Sequence, residues 1–227
     1  MDPIRWLVYG FIRTFFGVVC RVDSSDIKKI PNSGPLIVYS NHTGSIEVPL
    51  VFVYLQPRPL TGWAKIETWN NALKGWLFDL WGAIPLRRGE ADMEAIRKAI
   101  DCLNDGMILG ISPEGTRSRN GHLQKAHPGI VTLALHSHAP LLPLAHWGSE
   151  KFSTNMKKFK RTDFIIRVGE PVKLQLDGMK LDRNTRQQIV DELMYKLAVI
   201  MPEEYRGEYA DLSKATTQFI SEISIPV

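Results

Sequence analysis

Pro35-Leu36-Ile37-Val38-Tyr39-Ser40-Asn41-His42-Thr43-Gly44-Ser45-Ile46-Glu47 carries the chain from a hydrophobic strand into a polar loop, and an apolar segment continues from Ile46 to Leu55. A buried strand that delivers a histidine to its carboxyl end, just ahead of a helix, is the arrangement from which α/β folds build sites. Two further polar clusters, Arg87-Arg88 and Glu114-Gly115-Thr116-Arg117-Ser118, also follow strand-like runs. Three clusters at three strand ends point to a single pocket.

Working outward, strand and helix patterns alternate. Strands are expected at Leu36–Tyr39, Leu60–Ala64, Gly82–Leu86, Met107–Ile111, Leu141–Ala145 and Phe164–Val168. Helices are expected at Ile46–Leu55, Trp69–Trp81, Asp92–Leu103, Ile130–His136 and Thr185–Ile200. Apolar residues three and four apart mark the helices, with Trp69, Leu73, Trp76 and Leu80 on one face of the second. The alternation predicts an α/β fold, a mostly parallel sheet flanked by helices. The tail from Met201 lacks periodicity and either wraps the domain or stays loose.

The N-terminal run Ile4–Cys20 is apolar apart from Arg5, Arg13 and two glycines. It is short for a bilayer span of about 20 residues, and its arginines would be costly inside one. It predicts an amphipathic helix in the membrane interface, Trp6 and Tyr9 at headgroup depth; a helix packed on the core has the same amphipathicity. Residues 1–22 are thus read as an interfacial membrane helix and 23–227 as one α/β domain. Trp63, Trp69, Trp76 and Trp81 leave two readings open, core aromatics or a helix that faces the membrane or lines an apolar chain.

The 227 residues are 44% hydrophobic and 23% charged, with a formal net charge of +4. The mild excess suits an anionic membrane or a phosphorylated substrate, and no basic helix or aromatic-basic sheet suggests nucleic acid. Cys20 and Cys102 lack metal-ligand spacing and are expected as reduced thiols; no metal is expected.

The chemistry begins with His42 and Glu47. Imidazole is suited to proton abstraction near neutral pH once one ring nitrogen is fixed. A carboxylate accepting from Nδ1–H leaves Nε2 as the base. Ser45 stands outside any Gly-x-Ser-x-Gly elbow, which argues against a serine nucleophile. In the third cluster, Gly115 frees the turn, Thr116 and Ser118 are donors, and Arg117 can pair with phosphate through two hydrogen bonds. Arg87 and Arg88 add positive charge toward the same anion.

Four ordered blocks carry a resemblance: Asn41–Glu47, Gly82–Arg87, Ser112–Ser118 and Pro140–Leu144. Over about residues 30 to 170 the chain resembles the glycerolipid acyltransferases, a family that includes the lysophosphatidic acid acyltransferases. The resemblance implies a glycerol-3-phosphate acyltransferase-like fold and transfer of a fatty acyl group from acyl-CoA or acyl carrier protein to a hydroxyl. The expected acceptor is 1-acylglycerol-3-phosphate, giving phosphatidic acid. It assigns His42 as catalytic base beside Glu47, and Arg87, Arg88, Glu114, Gly115, Thr116 and Arg117 to the acceptor phosphate. Pro140, Leu141 and Pro143 fall on a block for acyl-donor binding or packing. No cofactor is implied beyond the acyl donor.

Expected partners are a lysophospholipid and a membrane surface, and the expected location is peripheral, on the cytoplasmic side of the cell membrane. Two departures stand out. Glu47 replaces the family's usual aspartate, and His127-Pro128-Gly129 stands where a lysine often precedes a small residue and glycine. Alternatives are acylation of another lysophospholipid or a glycolipid, a lipid hydrolase using His42 with water, and a non-catalytic lipid-binding member. Backbone N–H groups near Gly115 or after His42 are the candidate oxyanion donors.

Overall fold

The computed structural model describes residues 3–44, 46–89, 92–176, 178–179 and 181–226; Ser45 lies outside them. Helix α1 (Pro3–Val19) passes directly into strand β1 (Cys20–Asp23). There follow β2 (Leu36–Ser40), α2 (Glu47–Tyr54), β3 (Leu60–Lys65), α3 (Ala72–Leu80), β4 (Ile84–Leu86), α4 (Met93–Asn104) and β5 (Ile108–Ile111). The second half holds α5 (Gly129–Ser137), β6 (Leu141–Trp147), α6 (Phe152–Lys157), β7 (Thr162–Val168), β8 (Val172–Leu174), α7 (Arg183–Val199) and β9 (Ile220–Glu222).

The main sheet has the order β1-β7-β6-β2-β5-β3-β4. Neighbours from β6 through β4 run parallel, and β7 turns antiparallel to β6. The mostly parallel sheet is thus as expected, with an antiparallel margin that β8 and β9 extend. Side chains alternate across a strand, and β2 shows the consequence. Ile37 and Tyr39 enter the core beneath α4, α5 and α7, while Leu36 and Val38 enter the one beneath α1 and α2. Both faces are covered, so the parallel strands read as unbroken apolar runs.

Two sequence expectations change, and one open alternative is resolved. Trp69 is not on the helix with Leu73 and Trp76, because Asn71 interrupts and caps it: its side chain accepts from Lys74 N–H at 3.0 Å. Trp69 instead packs edge-on against Phe78 and donates to Asp79 at 2.7 Å. A boundary at residue 22 falls within β1, which pairs with β7 from Cys20 to Asp23, so helix and sheet are continuous there. The tail wraps the domain: Tyr205 and Tyr209 are buried, and buried Glu192 accepts from Gln218 and Phe219 N–H, seating β9.

Helix α1 is apolar on two sides. Tyr9, Ile12, Phe16 and Val19 pack inward against the core that α2 helps to form. Ile4, Leu7, Phe11, Phe15 and Val18 recur at helical spacing on a stripe left exposed. Among the described residues no helix is long and apolar enough to cross a membrane.

Candidate active site

The parallel strands bring the polar loops to one end of the sheet. His42 follows β2, Arg87 follows β4 and Glu114 follows β5, all at carboxyl ends. The loop after β2 is held from three directions. On the β6 side, the Asn41 amide donates to His146 O at 2.7 Å and accepts from His146 N–H at 3.0 Å. The His146 ring donates from Nε2 to Asn41 O at 2.8 Å, since a carbonyl can only accept. Burial of that ring lowers its pKa, and the nearby Glu47 charge opposes the shift. On the β5 side, His42 N–H donates to Glu114 Oε1 at 2.9 Å, and His42 O accepts from Ser118 N–H at 2.8 Å. Beneath, Thr43 and Ser149 share a hydroxyl hydrogen bond of 2.5 Å.

Within this frame His42 Nδ1 lies 2.7 Å from Glu47 Oε1, in the first turn of α2. Glu47 is buried, and burial alone would push its pKa up. The hydrogen bond from His42 and the charges of His146 and His42 outweigh burial and hold the carboxyl at about 2. The ionised carboxylate accepts, so Nδ1 bears the proton of this bond and Nε2 is the ring nitrogen left to act as a base. The His42 side chain is 17% exposed, and Nε2 has no protein partner among the described residues. The extra methylene of Glu47 is therefore accommodated: the carboxylate reaches the ring at ordinary hydrogen-bond length. Among the described residues its second oxygen is buried with no partner, as is Nδ1 of His146.

Glu114 lines the cleft beside its turn, and its carboxyl is also engaged within the protein. Its side chain is 1% exposed, and its oxygens accept from His42 N–H, Gln124 N–H (3.1 Å) and the Gln124 amide (3.2 Å). A carboxylate so directed braces two loops. Burial raises its pKa to about 7 against those donors. Gly115 has φ +67°, where a side chain is strained, and a Cβ there would sit 3.3 Å from His127 Cδ2. Its N–H closes onto Ser112 O at 3.1 Å, which removes it as an oxyanion donor.

Thr116 and Arg117 are exposed on the same turn, and Arg87 and Arg88 are exposed after β4. None of the three guanidinium groups pairs with a carboxylate among the described residues. A cleft of about 550 Å³ opens beside the turn, lined by Thr116, Ser118, His122 and His127 and closed by Gly207 and Glu208 of the tail.

Leu141 and Pro143 are buried in β6, opposite Ile37 and Tyr39 of β2, and Pro140 O accepts from Ile37 N–H at 2.9 Å. Of the two roles open to this block, packing is the one these contacts perform. The tryptophans divide. Trp81 is buried against Phe52, ring centroids 5.0 Å apart, and Trp63 donates to Ala95 O at 3.2 Å, whereas Trp76 is half exposed. Asn41, Gln124 and His146 were not singled out by sequence reasoning. Only Asn41, beside the candidate base, carried a local signal.

Comparison with known proteins agrees with this architecture. A family model described as Acyltransferase matches residues 21–147. A 1-acyl-sn-glycerol-3-phosphate acyltransferase of Bacillus subtilis is 29% identical over 145 residues, 64% of this chain and 70% of that protein. One of Borreliella burgdorferi is 28% identical over 179 residues, 76% of this chain and 70% of that protein. A lyso-ornithine lipid O-acyltransferase of Pseudomonas aeruginosa is 30% identical over 112 residues, 49% of this chain and 42% of that protein. The crystal structure of the 1-acyl-sn-glycerophosphate acyltransferase PlsC of Thermotoga maritima shares the fold. Its TM-score is 0.62 at 22% identity, over 88% of this chain and 82% of that one.

Proposed function

We propose that this chain, which belongs to the acyltransferase family, moves a fatty acyl group from a thioester donor to the hydroxyl of 1-acylglycerol-3-phosphate. The observation that carries the reading is the His42–Glu47 pair at 2.7 Å, with Nε2 unengaged at the carboxyl end of β2. The acceptor phosphate docks on the exposed cations Arg87, Arg88 and Arg117. Its hydroxyl then lies near Nε2, which takes the proton as the oxygen attacks the thioester carbonyl. The tetrahedral intermediate collapses with loss of the thiolate, which recovers the proton from His42. Glu47 stabilises the imidazolium between those steps. The donor is acyl-CoA or acyl carrier protein.

The enzyme works as a peripheral protein on the cytoplasmic side of the membrane. The exposed apolar stripe of α1 supports this, together with the half-exposed Trp76. A second reading, acylation of a different lysolipid, is favoured by the similarity to the lyso-ornithine lipid enzyme. The test is one acyl-CoA offered with a panel of lysolipids, with products identified by mass spectrometry. Phosphatidic acid as the main product supports the first reading, and preference for a phosphate-free acceptor overturns it. Thiol release without acceptor would indicate a hydrolase. No thiol release under any condition would indicate a lipid-binding protein.

A further inference from the structure

Between α6 and β7 the chain runs Met156-Lys157-Lys158-Phe159-Lys160-Arg161. Phe159 is 100% exposed, and its φ is +53°. The turn has a defined form: Phe159 N–H bonds to Met156 O at 3.1 Å and Lys160 N–H bonds to Asn155 O at 2.9 Å. These are the two hydrogen bonds of a Schellman helix end, and Phe159 occupies the left-handed position that glycine normally takes. A bulky aromatic there is disfavoured twice, by its backbone and by its hydration. The fold gains no packing from the ring. Such an outlier points to a use outside the fold.

The surroundings indicate what that use is. Lys157, Lys158 and Lys160 are exposed and pair with no carboxylate among the described residues. Arg161 is held differently, donating to Gly17 O at 2.7 Å at the end of α1. Phe152 of α6 meets Phe16 of α1 with ring centroids 6.1 Å apart. The turn thus adjoins the carboxyl end of α1, next to its exposed Phe15 and Val18. Topology puts it at the end of the sheet that carries His42: β6 runs parallel to β2, so the β6–β7 connection leaves from that end.

We propose that the Phe159 turn is a membrane-insertion point selective for anionic lipid: the ring enters the interface and the three lysines meet lipid phosphates. With α1 it gives two-point contact, and the loop bearing His42 is thereby turned toward the bilayer. The proposal deepens the reading of a peripheral enzyme and rests on it. A bilayer, rather than an acidic protein, is the occupant because the turn is tied to the carboxyl end of α1, whose apolar stripe is exposed, and the ring itself is fully exposed.

Phe159→Gly separates a structural role from this one, since glycine suits the left-handed site and should keep or raise Tm. Binding of the full chain is measured by sedimentation with phosphatidylcholine vesicles, with or without phosphatidylglycerol and without substrates, so it does not depend on acyl transfer. Phe159→Gly is expected to weaken vesicle binding roughly tenfold or more. Replacing Lys157, Lys158 and Lys160 by Gln is expected to cost about fivefold per lysine on phosphatidylglycerol vesicles only, and to flatten the salt dependence. Parental vesicle binding by Phe159→Gly would overturn the proposal, as would failure of the parent to bind any vesicle. Unchanged vesicle binding with a raised KM for acyl carrier protein would overturn it in favour of a protein-docking turn.

Discussion

The backbone N–H of His42 donates to Glu114 Oε1 at 2.9 Å, so the carboxylate of one sequence block fixes the backbone of another 72 residues away. Glu114 receives three donors in all, and an amide in its place would present one acceptor and turn its own N–H groups toward the rest. Glu114→Gln is expected to lower kcat about tenfold or more, because the base is displaced. Steady-state kinetics would check this; an unchanged kcat would remove the brace from the mechanism.

The same carboxyl makes stability depend on pH. Its folded pKa, about 7, lies above the ordinary value of 4.5. The unfolded chain therefore loses this proton first, and stability falls as pH rises from about 4.5 to 7. The fall attributable to Glu114 is about 3 kcal/mol at most. Urea unfolding at pH 5 and pH 8 should show it, and Glu114→Gln should abolish that component.

Glu47 reaches His42 Nδ1 at 2.7 Å. Glu47→Asp withdraws the carboxylate by a methylene and is expected to be slower than the parent, although aspartate is usual in this family. Glu47→Gln should also depress kcat with little change in either KM. His42→Ala should cost roughly 10²-fold or more. A faster Asp variant would mark the glutamate as an impairment rather than an adaptation.

Arg117 is exposed on a turn whose carboxylate is bonded to His42 and Gln124. Arg117→Ala is expected to raise the acceptor KM by about 1.5–3 kcal/mol of lost binding, leaving the donor KM near parental. A shift confined to the donor would move Arg117 to the other substrate.

The two faces of α1 should separate by mutation. Leu7→Gln and Phe11→Gln alter only the exposed stripe and should release the protein from vesicles at parental Tm. Phe16→Ala opens the core and should cost about 3 kcal/mol or more. Equal loss of stability in all three would leave the stripe without a separate role.

How much of this was legible beforehand follows the range of the interactions. Strand β2, helix α2 and the His42–Glu47 spacing are local, and hydrophobic runs with a five-residue separation announce them. Glu114 was found by its block but its bond to the His42 loop was not, since nothing near Glu114 in sequence reveals that His42 N–H is its donor. His146 looked like any buried histidine, because its partner Asn41 lies 105 residues away. Strand β9 is three residues long and is fixed by buried Glu192, a residue whose charge suggests a surface position.

That range has a consequence in time. During synthesis His42 and Glu47 emerge together, early, yet the groups that shape their loop follow 72 and 105 residues later. Closing such long separations costs chain entropy that only the docked β5 and β6 strands repay. The nascent chain therefore carries both residues of the pair well before it carries a site. A fragment released short of Glu114 would hold both residues of the pair without the strand-end loops that position them.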